Sequence, residues 1–95
     1  MQPLTDKQSI QQGPMRQLVQ DLQHWLITHQ LGCVELLWRF SSSRSSAETQ
    51  ILKLHFADPQ QQAERMLSLS ELRMEQLELP GEVLSVEAEL LRSQI

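Results

Sequence analysis

The feature of this chain that most constrains its fold is a change in the spacing of apolar residues at Gly32. Before Gly32, apolar side chains recur every three or four residues, which places them on one face of an α-helix: Met15, Leu18, Val19, Leu22, Trp25 and Leu26. After Gly32 they alternate, which predicts a strand over about residues 33–41. One face of this strand carries Val34, Leu36, Trp38 and Phe40, and the other carries Cys33, Glu35, Leu37 and Arg39. The sequence therefore predicts a helix packed on a sheet.

Two residues mark the ends of the predicted first helix, residues 14–30. Pro14 suits a first helical turn, where its missing N–H leaves nothing unpaired. Gly32 suits the left-handed conformation in which helices often end. Residues 1–13 are polar, rich in Gln and without a period, so we expect an extended or disordered lead-in or a partial strand, anchored only by Leu4 and Ile10.

A hairpin is predicted next, because the Ser-rich segment SSSRSSAE, residues 41–48, joins two runs of similar length. The returning strand covers about residues 49–57. Its first face carries Gln50, Leu52, Leu54 and Phe56, and its second face carries Ile51, Lys53 and His55.

The sequence from Asp58 onward predicts a second helix and a last strand. Asp58 and Pro59 provide a helix-start signal, and helical spacing continues to the breaker at Pro80 and Gly81. For residues 71–79 a helix is favoured, and a short strand is the alternative because apolar and charged residues alternate there. From Val83 the tail alternates again, as expected of a strand at a sheet edge.

The predicted order is thus helix, strand, strand, helix, strand, which is a ferredoxin-like order. Two helices on one face of an antiparallel sheet would bury each apolar stripe once. We therefore predict an α+β fold, a small two-layer sandwich that forms one domain over residues 14–92.

Composition limits the classes of function. The chain has 95 residues, of which 40% are hydrophobic and 21% charged, values typical of a globular domain. We expect a cytoplasmic protein without a membrane partner, since no apolar run approaches the roughly 20 residues of a membrane helix and no secretory signal is recognisable. The net charge of −4, with eight Lys and Arg, allows only local and weak contact with DNA.

No catalytic constellation is recognisable. The sequence has no nucleophile elbow, P-loop, dinucleotide-binding glycine signature or zinc-type Cys/His pair, so we expect no enzyme activity, no metal and no cofactor. His24 and His29 are five residues apart and diverge on a helix, and Cys33 is expected to be a small buried hydrophobe. The acidic residues Glu71, Glu75 and Glu78 are expected on a solvated helix face.

The chemically suggestive residues are those predicted on the second face of the sheet. Leu37 and Arg39 would neighbour Ile51, Lys53 and His55 on the adjoining strand, with Arg44 in the loop between them. If both helices cover the other face, this face is open. A patch that mixes cations and apolar side chains can bind a nucleic-acid backbone or another protein, and it can also be an ordinary solvated sheet face.

Three segments resemble one known family: RQLVQDLQHWLITHQLGCVELLWRF, ILKLHFADP and MLSLSELRMEQLELPGEVLSVEAELL. They are similar to the little-finger region of the bacterial mutasome's Y-family polymerase-like proteins. That family has a Leu-rich helix ending in a Trp-Leu pair, a Gln-Leu-Gly-Val-like turn into a strand and a closing Leu-x-Leu-Pro-x-x-Val segment. These features correspond to Trp25 and Leu26, to residues 30–34 and to residues 77–83, and the resemblance covers about residues 4–92.

The resemblance implies a non-catalytic adaptor module that acts in DNA-damage tolerance, in translesion synthesis and induced mutagenesis. Its partners would be an error-prone polymerase and an accessory protein, and its sheet would lie against the DNA backbone. On this chain that role would fall to Arg39, Lys53 and His55, with Arg44 nearby. Leu37 and Ile51 on the same sheet face are candidates for contact with a partner. The family normally begins with a strand before the first helix, so a missing strand would leave an edge open to self-association. The alternative hypothesis is a small ferredoxin-like interaction domain that forms homo-oligomers and does not bind DNA.

Overall fold

The computed structural model describes residues 7–42, 45–78, 83 and 85–95. Within them, a helical stretch leads into a three-stranded antiparallel sheet of order β2-β1-β3, with one more helix between the second and third strands. The elements are α1 (Lys7–Ile10), a π-helical segment (Gln11–Met15), α2 (Arg16–Thr28), β1 (Gly32–Ser42), β2 (Ser45–Gln60), α3 (Ala63–Met74) and β3 (Ser85–Gln94). The predicted α+β class and the order helix, strand, strand, helix, strand are confirmed.

The first helical stretch begins at Lys7, seven residues before the predicted start at Pro14. An extended lead-in is therefore wrong for residues 7–13, while residues 1–6, including Leu4, lie outside the described residues. Ile10 and Met15 are both fully buried although five positions separate them. The i→i+5 bonding of the π-helical segment brings residues five apart onto one face, so Ile10 does anchor this part of the chain. Because the π-helical segment spaces its buried residues five apart, the α-helical spacing of three or four does not predict these first turns.

Gln30, rather than Gly32, provides the left-handed residue after α2. Its φ is 56°, whereas no described glycine has a positive φ, so the predicted role of Gly32 is wrong. Gly32 is instead required by close packing. A Cβ at this position would lie 2.9 Å from the carbonyl carbon and 3.0 Å from the Cα of Pro59, at the end of β2.

We expect Gly32→Ala to lower the free energy of unfolding by about 1–3 kcal/mol, the usual penalty of overpacking, because the backbone of Pro59 must move. Urea denaturation followed by circular dichroism measures this change. Gly13→Ala is the matched control, since a Cβ there meets nothing within 4 Å. Equal stability of Gly32→Ala and the unmodified chain would show that the contact with Pro59 is not limiting.

The hairpin extends further into the Ser-rich segment than predicted, because β1 and β2 pair as far as Ser42 and Ser45. Leu36 lies opposite Leu54 and Trp38 opposite Leu52, and all four are buried. The predicted division of both strands into a buried and an exposed face is confirmed for residues 35–40 and 50–56.

The second long helix, α3, begins at Ala63 and not at Asp58, which belongs with Pro59 to the end of β2. Its first backbone N–H, that of Ala63, donates to Oε1 of Gln23 on α2 at 2.6 Å, so the acceptor is a distant side chain. The helix ends at Met74, which confirms the predicted helix for residues 71–74. The helix is wrong for residues 75–78, where a turn follows, and the alternative strand is absent there too, while residue 79 lies outside the described residues.

Helices α2 and α3 are antiparallel and cover the same face of the sheet. The start of the helical stretch meets the end of α3, where Nε2 of Gln11 lies 3.7 Å from Sδ of Met74, and Arg16 pairs with Glu64 at the other end of α3. Between helices and sheet, Nε1 of Trp38 donates to Oγ of Ser70 at 2.9 Å. The core comprises Ile10, Met15, Val19, Leu26, Cys33, Leu36, Trp38, Phe40, Leu52, Leu54, Phe56, Ala63, Met66, Leu67, Met74 and Val83.

Cys33 is fully buried in this core, which confirms that it packs as a small hydrophobe. Its predicted place on the same face as Glu35 and Leu37 is wrong. The pairing of β1 with both neighbours is irregular between Cys33 and Glu35, and such a bulge changes the face to which a side chain belongs. On β3, by contrast, Val86, Ala88 and Leu90 pack against the core as the alternation predicts.

Burial raises the pKa of the Cys33 thiol from 9.0 to about 11. Between these values the unfolded chain loses the thiol proton while the folded chain keeps it, so the free energy of unfolding falls as pH rises. We expect a loss of roughly 2 kcal/mol by pH about 11. Urea denaturation at several pH values measures it, with Cys33→Ala as the control for all other titrating groups. Parallel pH curves for the two proteins would contradict this expectation.

Candidate functional site

The sheet face opposite the helices carries three rows of chemically varied side chains across β2, β1 and β3. The cross-strand pairing defines the rows as His55, Glu35 and Arg92; Lys53, Leu37 and Glu89; and Ile51, Arg39 and Glu87. The outer residues of these rows are exposed, and the central ones on β1 are half-buried. The predicted neighbours Leu37, Arg39, Ile51, Lys53 and His55 are therefore brought together, whereas Arg44 lies outside the described residues.

Glu35 is the centre of a group of basic side chains at one end of this face. Its Oε2 lies 3.4 Å from Nζ of Lys53, and its Oε1 lies 3.7 Å from Nη1 of Arg92 and 3.9 Å from Nδ1 of His55. The Glu35 side chain is only 20% exposed, while the three basic side chains around it are about 60% exposed: Lys53 60%, Arg92 58% and His55 64%. One carboxylate is thus shared by three bases whose polar ends reach solvent.

A fourth basic side chain borders the same place. Arg73, in the last turn of α3, lines a depression of about 290 Å³ together with Glu35, Lys53 and His55. We call these five residues, Glu35, Lys53, His55, Arg73 and Arg92, the Glu35 cluster. With histidine neutral, three cations face one carboxylate, so the Glu35 cluster has a local charge of +2 in a chain whose net charge is −4.

The other end of the open face is acidic. Arg39 donates from Nη1 and Nη2 to Oε1 of Glu89, both at 3.2 Å, and Glu87 lies directly opposite Arg39 on β3. Among the described residues at this end, Arg39 is therefore hydrogen-bonded to one carboxylate and lies opposite a second on the neighbouring strand. Of the predicted DNA-contact residues, Lys53 and His55 lie in an excess of positive charge, and Arg39 does not.

Three members of the Glu35 cluster were not among the predicted site residues. Glu35 was assigned only to a face of β1, and its central position depends on pairing with two strands at once. Arg92 has the sequence parity of the core-facing residues Val86, Ala88 and Leu90, but Leu91 is an extra residue in the pairing, and Arg92 falls opposite Glu35. Arg73 comes from α3, and only the packing of α3 on β2 brings it near the sheet.

The other histidines have local contacts. His29 stacks on Trp25 with ring centroids 4.2 Å apart, and its Nδ1 lies 2.8 Å from the carbonyl oxygen of Trp25. His24 is exposed on α2. Within residues 7–42, 45–78, 83 and 85–95, no group of three His, Cys, Asp or Glu side chains is placed to hold a metal ion. None of the helices described in this part of the chain is long and apolar enough to cross a membrane.

Among the described residues, the open face thus combines a basic depression at one end with Glu87 and Glu89 towards the other, and its hydrophobic side chains Leu37 and Ile51 lie in neighbouring rows. Such an arrangement offers exposed cations to an anion at the end where Lys53 and Arg92 lie beside Glu35. No protein-family model matches the chain, and no curated protein matches it either.

Proposed function

We propose that this domain is a non-catalytic module that binds the DNA backbone weakly through its open sheet face and also contacts partner proteins. The observation that carries the proposal is the Glu35 cluster, in which Lys53, Arg92 and His55 lie within 4 Å of one carboxylate and Arg73 lines the same depression, in an otherwise acidic chain. Phosphate groups are bound by such clusters of Lys and Arg. The cluster therefore supports contact with a phosphate backbone.

The biological setting that we propose comes from the resemblance in sequence. A little-finger-like module of a mutasome-type Y-family polymerase-like protein would act in DNA-damage tolerance, as an adaptor beside an error-prone polymerase and an accessory protein in the cytoplasm. The exposed hydrophobic side chains Ile51 and Leu91 would then serve protein contacts at the edges of the DNA-binding face. This role fits the weak affinity expected from a local charge of +2.

The experiment that tests the proposal is fluorescence anisotropy of labelled primer–template DNA titrated with the domain over a series of salt concentrations. A local charge of +2 predicts a slope of log affinity against log salt of about −1.8, since each duplex phosphate contact contributes about −0.9. Absence of binding at low salt would remove the DNA-binding role.

A second candidate function is self-association through sheet edges. Among the described strands, β2 and β3 pair only with β1, so each has one edge without a strand partner there. An exposed edge can pair with a strand of another chain. Sedimentation equilibrium distinguishes this candidate, because a concentration-dependent mass without DNA binding would support the interaction domain instead.

A further inference from the structure

The Glu35 carboxylate has an unusual place for a residue at the centre of an anion site. It lies 3.4 to 3.9 Å from three basic groups, distances longer than the 2.7–2.9 Å or so of a strong charge-assisted hydrogen bond. None of the three is therefore held tightly. The bases are exposed, so an incoming phosphate reaches them from solvent while Glu35 lies beneath.

We infer that Glu35 is an internal counter-ion that competes with phosphate for Lys53 and Arg92 and so sets the affinity of the site. This inference rests on the proposed function for its natural ligand, the phosphodiester backbone. With Glu35 present, two of the three permanent charges remain uncompensated, and binding is weak and readily reversed. Without it, a third charge would be available to the ligand.

The competition follows from the geometry. A phosphate that contacts Lys53 and Arg92 comes close to the carboxylate they share, because both cations already lie within 4 Å of it. Like charges at this separation repel, and the cations must divide their attraction between the two anions. Glu35 therefore weakens the hold of Lys53 and Arg92 on the ligand.

The test compares Glu35→Gln with the unmodified domain. Glutamine keeps the size of the side chain and removes its charge. We expect binding of primer–template DNA to tighten roughly fivefold at low salt, the factor that corresponds to one unit charge removed at about 4 Å in water. The salt slope should steepen by about 0.9, because one more cation is free to contact phosphate.

Asp21→Asn is the matched control, because it changes the net charge by the same amount on α2 in the helical layer. Asp21 accepts a hydrogen bond from Nε2 of Gln17, which asparagine can still accept. We expect this variant to bind like the unmodified domain. Thermal unfolding checks that each variant is folded, and Glu35→Thr, with a side chain suited to strands, replaces Glu35→Gln if the latter does not fold.

A second probe, inorganic pyrophosphate followed by calorimetry, separates this inference from the proposed function. If the unmodified domain binds DNA and loss of the Glu35 charge leaves affinity and slope unchanged, the counter-ion inference is overturned and the DNA-binding role stands. If DNA does not bind but the Glu35 variant binds pyrophosphate more tightly than the unmodified domain, the inference stands and the DNA-binding role fails. Failure of both proteins to bind either probe overturns both.

Discussion

Replacing Lys53 and Arg92 together by Gln is expected to lower the affinity of the domain for primer–template DNA by more than about tenfold at low salt. These are the two cations nearest the Glu35 carboxylate, at 3.4 and 3.7 Å. Without them, Arg73 and Glu35 balance one another and the cluster has no excess charge. The salt slope should therefore fall from about −1.8 to near zero. Anisotropy titrations at several salt concentrations measure both quantities.

The control for this pair changes the net charge equally at a distance from the open face. Arg16→Gln with Arg65→Gln removes two cations from the helical layer, where Arg16 already pairs with Glu64. Arg39→Gln is a second control on the open face itself, since Glu89 accepts both hydrogen bonds of Arg39. We expect each control to weaken binding by less than about threefold. If the helical-layer control weakens binding as much as the cluster pair, the contact depends on overall charge and not on the Glu35 cluster.

The largest effect on stability is expected for Trp38→Ala, which should lower the free energy of unfolding by about 3–5 kcal/mol. Trp38 is fully buried at the centre of β1 beneath α3, and its indole N–H has Ser70 as partner. Removing it leaves a cavity between sheet and helix and frees the Ser70 hydroxyl from that bond. A domain of this size has only about 5–15 kcal/mol of stability, so the variant should be partly unfolded at ordinary temperature. Urea denaturation followed by far-ultraviolet circular dichroism measures the loss.

Trp25→Ala provides the matched control, because Trp25 is 42% exposed on α2. We expect a loss of less than about 1 kcal/mol there. Trp38→Phe and Ser70→Ala, singly and together, separate the hydrogen bond from the packing in a double-mutant cycle, with a coupling energy of about 1 kcal/mol expected. Should Trp38→Ala unfold at the same urea concentration as Trp25→Ala, the placement of Trp38 in the core would be refuted.

The sheet was predictable from the sequence because its signal is local. In β1 and β2 the side chains of residues 35–40 and 50–56 alternate between core and open face without interruption, and the pairing keeps that alternation in register. The α+β class could be predicted as well, because the apolar faces of two helices can both be buried against one apolar face of the sheet. The same alternation placed Arg39, Lys53 and His55 on one face.

The sequence-based predictions are wrong where an extra residue interrupts a helix or strand, or where a residue is required by a contact far away in the sequence. The π-helical segment shifts Ile10 out of the α-helical phase, and the bulge near Cys33 turns this residue into the core. Gly32 is required by Pro59, which is 27 positions away, and not by its own backbone angles. The spacing of neighbouring residues in the sequence does not predict such irregularities or distant contacts.

The candidate site was half predictable for the same reason. Lys53 and His55 follow from strand alternation, whereas Arg92 reaches the site through a bulge and Arg73 through helix packing. The predicted Arg39 is on the expected face, but it is hydrogen-bonded to Glu89 and lies opposite Glu87 on β3. Which cations keep an excess of charge depends on the third strand, and the order of strands in the sheet was not part of the prediction.

The hydrogen bond from Ala63 to Gln23 has a consequence for how the chain folds. Gln62, the residue before α3, provides no side-chain acceptor, so the first turn of α3 lacks local stabilisation. Short helices are marginal in isolation, and this one obtains its terminal acceptor from α2, 40 residues earlier. We therefore expect α3 to become helical only as it docks, so that the hairpin and both helices form in a single cooperative transition and a peptide spanning residues 58–78 alone remains unstructured.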